Sequence, residues 1–377
     1  MNKAHLPRKA ILACAAFMLV VLVGCSPLAE SPSMRMNKGN DALFLQCTER
    51  LVVVVSPEPA TALSLSWRSS DPAVAVVDGD GNVLALTIGY SEITATDQDG
   101  RVASCAVRVR PLPVLGTVDA SMLPTYQAAL ATSTLPTGLV AGDPLPANVD
   151  LRPYVGGGWD QGSQGSCVAF ALAEYITFHE TWDAGLSAAD SLHEFSPAFI
   201  YNQLASTSES GITMDSGLNF IKSTGDCLES LMGYDANPFP KAPTQAASDN
   251  ALLHKISSFA AVGTDIATLK LYLGHGMPIF VAMLAYPDLF SLNDSNPVYD
   301  TKPIPAPTST GYHAVLLVGY NDSANGGKGA LLFRNSWGDY WGIEGGDGYI
   351  DYAFFPLVAY VAYRLGELPI PPPALGP

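Results

Sequence analysis

The chain has 377 residues, 48% of them apolar and 14% charged, which is apolar material enough for two or more folded cores and excludes a disordered polypeptide. Its 19 basic against 35 acidic side chains provide no basic surface to displace counterions, which argues against nucleic acid as a partner and against an anionic membrane held by charge.

Residues 1–24, MNKAHLPRKAILACAAFMLVVLVG, open with Lys3, Arg8 and Lys9 and run into an apolar stretch from Ala10 to Val23. A basic start, a short apolar core and a small residue before Cys25 read as an export signal, too short and too poorly flanked for a permanent span. The end, Leu22-Val23-Gly24-Cys25, resembles a bacterial lipobox. That resemblance implies an acylated Cys25 and a stable membrane anchor through several acyl chains. Serine rather than aspartate at 26 points such a lipoprotein to the outer membrane; an ordinary cleaved signal is the simpler alternative. With Cys14 removed and Cys25 lipidated, Cys47, Cys105, Cys167 and Cys227 remain, and spacing alone allows three connectivities.

Residues 25–40 lack periodicity and read as a lipidated tether. From 41 to 110 short β-rich runs (LVVVVS, ALSLSW, AVAVVD, NVLALT, SEITAT, ASCAVRV) alternate with turn residues such as SSDP and DGDGN, which predicts a small all-β sandwich. The stretch SWRSSDPAVAVVDGDGNVLAL followed by SEITATDQDG resembles the Big-2 type of bacterial immunoglobulin-like domain. Such domains are spacers or adhesive modules, so the resemblance implies a cell-surface ligand as a partner. It also sets Cys47 near the first strand and Cys105 in the last, elements that run side by side in such a sandwich, which implies a Cys47–Cys105 disulfide. Residues 111–147 hold six prolines and no lysine or arginine and read as an interdomain linker. A short helix around TYQAALATS within them could dock on the next domain as an inhibitory segment would.

Residues 148–365 carry helical patterns first and strand patterns second. VAFALAEYITFHETW is apolar nearly all round and predicts a buried helix; SPAFIYNQLAS predicts a helix capped by Ser196 with Pro197 in its first turn; MDSGLNFIKST predicts a third, and DIATLKLYLGHG one closed by Gly274. MPIFVAMLAY, YHAVLLVGYN, GALLFRNSW and DGYIDYAFF predict strands. This segregation predicts an α+β domain with a helical half packed on a sheet or barrel-like half, and residues 366–377 read as a disordered tail.

Cys167 opens the first of these helices, where unpaired N–H groups and the helix dipole stabilise a thiolate. A nucleophilic cysteine needs a base, and the base needs an orienting group. Among the histidines His179, His193, His254 and His275 sit in helix-interior, helix-end or turn contexts that suit structural roles, whereas His313 opens an otherwise apolar strand, where an idle imidazole costs stability. Asn335 follows at the end of the next strand, so neighbouring strands can present the pair together.

QGSQGSCVAFA, GYHAVLLVGY and NSWGDYWGIEGGDGYI, in this order, resemble the papain-like cysteine peptidases, and LPANVDLRPY resembles the start of the mature domain in bacterial members. The resemblance implies a peptidase with a polypeptide substrate, Cys167 as nucleophile, His313 as base, Asn335 holding His313, Gln161 completing an oxyanion hole and Trp337 shielding the Asn335–His313 bond. Gly211 is the candidate for an edge that pairs with substrate backbone. Gln164 stands where many members have a disulfide cysteine, which leaves Cys227 as a buried thiol, and Val168 replaces the frequent tryptophan after the nucleophile. No metal and no cofactor is called for, since the cysteines and histidines lack close ligand spacing, and a monomer is expected. A papain-like binding protein without activity and an amidase or transpeptidase using the same thioester are the alternatives.

Overall fold

Strict alternation shapes the N-terminal domain. In the strand Val102–Arg110 the residues Ala103, Cys105, Val107 and Val109 are buried and their neighbours face solvent, the period that half-buried β-structure requires. The computed structural model describes residues 33–58, 63–115, 122–136, 138–186, 193–235, 239–301 and 311–366. Its first strands are β1 (Ser33–Met36), β2 (Asn40–Phe44), β3 (Thr48–Arg50), β4 (Val53–Ser56), β5 (Leu65–Ser69), β6 (Ala75–Val77), β7 (Asn82–Ala85), β8 (Gly89–Asp97) and β9 (Val102–Arg110). One sheet has the order β2-β9-β8-β5 and a second the order β3-β7-β6, with their own core between them, while β1 pairs with β4. The sandwich therefore starts before residue 41: Met36, expected in the tether, is buried in its core. Cys25 and the export signal lie outside the described residues, as do residues 367–377 of the tail.

The Cys47–Cys105 disulfide does not form. β2 and β9 do run side by side, but their parallel register sets Phe44 opposite Arg110, so Cys105 lies five residues, about 16 Å, back along the strand from that end. A disulfide needs Cα atoms within about 7 Å. Both cysteines are buried thiols in different cores, Cys105 inside the sandwich and Cys47 facing the C-terminal domain; burial pushes the Cys105 thiol up to about 12.

Described parts of the linker dock on the C-terminal domain. Its helix α1 (Met122–Thr132) buries Tyr126, whose hydroxyl donates to Val262 O at 2.5 Å and whose ring packs edge-on against Tyr363. After β10 (Asn148–Asp150) come the helices α2 (Cys167–Asp183), α3 (Pro197–Leu204), α4 (Met214–Ser223) and α5 (Gln245–Ala251). Ser196 caps α3 by accepting from Phe199 N. The strands are β11 (Phe259–Ala261), β12 (Ile279–Ala285), β13 (Val298–Tyr299), β14 (Gly311–Asn321), β15 (Ala330–Arg334), β16 (Asp347–Asp351) and β17 (Ala359–Leu365), with helix α6 (Ile266–Gly274) after β11. The left-handed residue that turns the chain after α6 is Gly276, φ 77°, rather than Gly274.

These strands form one sheet, β11-β17-β12-β14-β15-β16-β13, with β10 added on β14. Among the described residues its path ends at β11 and β13 without closing, so the expected barrel-like half is an open sheet. Gly319 lets β10 lie against β14: a Cβ there would stand 2.1 Å from Val149 O. Helix α2, buried nearly all round, packs on β14 and carries Cys167 at its N-terminus.

Candidate active site

Cys167 is the first residue of α2 and 2% exposed. Its position gives the thiol the unpaired N–H groups and positive dipole end of a seventeen-residue helix. The segment before the helix is tied by Tyr234, whose Oη lies 2.8 Å from Gln161 O, 2.8 Å from Gln164 Oε1 and 2.9 Å from Ser166 Oγ. Nothing in the sequence around Tyr234 signals that role, because it sits 67 positions beyond the thiol in the chain.

The β14–β15 hairpin, whose β14 packs against α2, carries the next candidates. Its register pairs Leu316 with Arg334, so His313 near the start of β14 and Asn335 just past β15 arrive at one end of the hairpin. His313 Nε2 lies 2.6 Å from Asn335 Oδ1, and both residues are 1% exposed. The same Oδ1 accepts from Ser336 N at 2.8 Å, which orients the amide. An amide oxygen only accepts, so Nε2 carries the proton and Nδ1, buried without a hydrogen-bond partner, holds the lone pair. Burial drives the His313 pKa down to about 4 against a smaller upward pull from Asn335, so at neutral pH the ring is an uncharged base.

Trp337, 0% exposed, stacks on His313 with ring centroids 4.6 Å apart. It closes the His313–Asn335 bond off from water, and is itself stacked on Phe290 at 5.0 Å and met edge-on by Phe44 of the sandwich at 5.6 Å. Gln161 is bound to the same loop: its N–H donates to Ser336 O at 2.9 Å and its Oε1 accepts from Ser336 Oγ at 2.7 Å. This leaves its Nε2 as the donor end, which serves Gln164 O at 2.8 Å and Val114 O at 3.3 Å. Ser336, unnoticed in the sequence, is thus the link between the Gln161 and Asn335 segments. Behind it, buried Arg334 pairs with Asp347 at 2.5 Å and donates to Gly156 O, anchoring the hairpin to the loop that leads to Gln161.

Gly211 lies beside Gly165, where an added Cβ at 165 would stand 3.0 Å from Gly211 N. The other histidines are elsewhere: His254 Nδ1 bonds Glu180 Oε1 at 2.8 Å, His275 Nδ1 bonds Leu271 O at 2.8 Å, and His179 stacks on Tyr175. Cys227 is a fully buried thiol.

The sequence model of the papain family cysteine proteases matches residues 145–354, more than half of the chain. The chain belongs to the papain family. The model of the bacterial Ig-like domain, group 2, matches residues 42–107, in front of the papain-family domain. Xylellain, a cysteine protease from Xylella fastidiosa, is 27% identical and superposes with a TM-score of 0.51 over 62% of this chain and 91% of its own. An uncharacterized peptidase C1-like protein of Acanthamoeba polyphaga mimivirus is 27% identical over 201 residues, 49% of this chain and 61% of its own. An uncharacterized protein of Clostridium acetobutylicum is 26% identical over 206 residues, which is 51% of this chain and 20% of that protein. The chain thus spans less than two thirds of the length of either of these two relatives.

Proposed function

We propose that this chain hydrolyses peptide bonds through Cys167, with His313 as base, Asn335 as the group that orients it and Gln161 as an oxyanion donor. The observation that carries the reading is the buried His313–Asn335 bond under Trp337, which leaves the Nδ1 lone pair for the proton of a thiol seated at a helix N-terminus. In the first step His313 takes the Cys167 proton as the sulfur adds to the carbonyl carbon, and the oxygen charge falls to Gln161 Nε2 and the Cys167 backbone N–H. The imidazolium then protonates the departing amine, leaving a thioester. Water, deprotonated by the same His313, releases the acid and restores the thiol. Gly211 offers a backbone edge beside the site for an extended substrate.

The placement we infer is the cell envelope: export, acylation at Cys25 and an outer-membrane anchor, with the sandwich free to meet a surface ligand. Support comes from the basic-apolar-Cys25 order of the first residues.

The test is to treat the full chain, purified in mild detergent, with a peptidyl epoxide and read adducts by peptide mass. One adduct on Cys167, lost in His313→Ala, is expected; labelling that ignores His313→Ala would refute the assignment. Product masses on peptide substrates with and without added amines separate hydrolysis from transfer, and an amine adduct as main product would replace peptidase by transpeptidase.

A further inference from the structure

Residues 111–115 leave the sandwich and pass against Gln161 and Gly311. Arg110, the last residue of β9, pairs with Asp160 at 2.5 Å, next to Gln161, and donates to Trp337 O at 3.1 Å. Pro113 is buried. The Val114 carbonyl accepts from Gln161 Nε2, and because the second hydrogen of that amide serves Gln164 O, both donors are occupied. Leu115 lies on Gly311, two residues before His313, so closely that a Cβ on Gly311 would stand 2.4 Å from its own. On the sandwich side Phe44 is buried edge-on against Trp337, the ring that covers His313.

We propose that the immunoglobulin-like sandwich and the strap that follows it form an intramolecular inhibitor of the papain-family domain. The inference rests on the peptidase reading above and adds its regulation. A substrate carbonyl cannot use Gln161 while Val114 holds it, and a segment fastened beside it by Arg110 and Phe44 competes at the high effective concentration of a tethered ligand. Cys167, 2% exposed, gives a bulky peptide no approach in this arrangement. Activity then follows displacement of the sandwich from Trp337, so a surface partner that pulls on the sandwich would act as an activator of the site rather than merely as a tether.

The experiment compares the full chain in detergent with Arg110→Ala and Leu115→Arg on two readouts: alkylation of Cys167 by iodoacetamide, followed by peptide mass, and kcat/KM on a fluorogenic peptide set. Fully buried Cys227 is the internal control for folding, since a variant that has lost its fold alkylates there as well. If the open form is held below about a tenth of the population, releasing it raises both rates by about tenfold or more. Unchanged Cys167 alkylation in Leu115→Arg with Cys227 still protected overturns the inference, as does a native chain that hydrolyses peptides as fast as either variant; the latter result leaves the peptidase reading standing. Faster alkylation without any hydrolysis keeps the inhibitor and removes the peptidase.

Discussion

The two walls around Cys167 are built by different means. On one side His313 and Asn335 stand on adjacent strands of a single hairpin, 22 residues apart in the chain, and their bond is set by β14–β15 register. On the other, Val114 reaches Gln161 across a domain boundary, held by Phe44 and Arg110 of a sandwich with its own separate core. The first wall is paid for by strand pairing that the domain needs in any case. The second is made where Phe44 and Cys47 of the sandwich join the core of the C-terminal domain. One wall is thus set by register within a single hairpin and the other by contact between two domains, which is the difference the proposed inhibition rests on.

Breaking the hairpin wall gives the largest effect. Asn335→Ala should lower kcat/KM by about 10²-fold, the scale of a misplaced general base. Asn335 raises the proton affinity of His313, so its loss should also move the acid limb of the rate profile, where the neutral imidazole becomes protonated, to lower pH. A profile that keeps its shape while only its height falls would mean that Asn335 supports structure alone.

Smaller, and confined to the helix behind the hairpin wall, is the effect of Glu174. It is buried in α2 with Oε1 unpartnered, and burial pushes its carboxyl up to about 8 from an ordinary 4.5. A raised folded-state pKa means stability that is complete below about 4.5 and drains away as pH rises through about 8. Glu174→Gln should accordingly leave the melting temperature nearly unchanged at low pH and raise it increasingly towards pH 8, a trend read from Tm against pH. Parallel curves for the two proteins would contradict a buried neutral carboxyl.

The smallest expected change concerns the sandwich side. Cys47 belongs to the interface and Cys105 to the sandwich core, so peptide mapping of unreduced, denatured chain expressed in an oxidising compartment should find both thiols alkylated and no shift on added reductant. A linked Cys47–Cys105 peptide would show that β2 and β9 take another register and that the face presented to Trp337 differs.

Much of the hairpin wall is legible in the chain. Alternating apolar runs mark the strands, Ser196-Pro197 marks a helix start, and a histidine opening an apolar strand stands out because burying it needs a reason. Other parts were misread for identifiable causes. Met36 lies in a four-residue strand whose pattern is too short to separate from a tether, and the expected Cys47–Cys105 pairing fails because neighbouring strands say nothing of register. Tyr234 and Ser336 carry no local signal at all, since a hydroxyl earns its partners only from what folding brings near it.

The sequence by itself pointed to the two domain types and most of the element order, because periodicity and residue chemistry act over short stretches of chain, while the candidates Cys167, His313, Asn335 and Gln161 came from its resemblance to the papain family. Only the tertiary structure decided that Phe44 and Arg110 meet Trp337 and Asp160 and that Val114 takes the Gln161 amide. Those contacts join surfaces of independently patterned domains, and their energy depends on distance in space, which a one-dimensional pattern does not record.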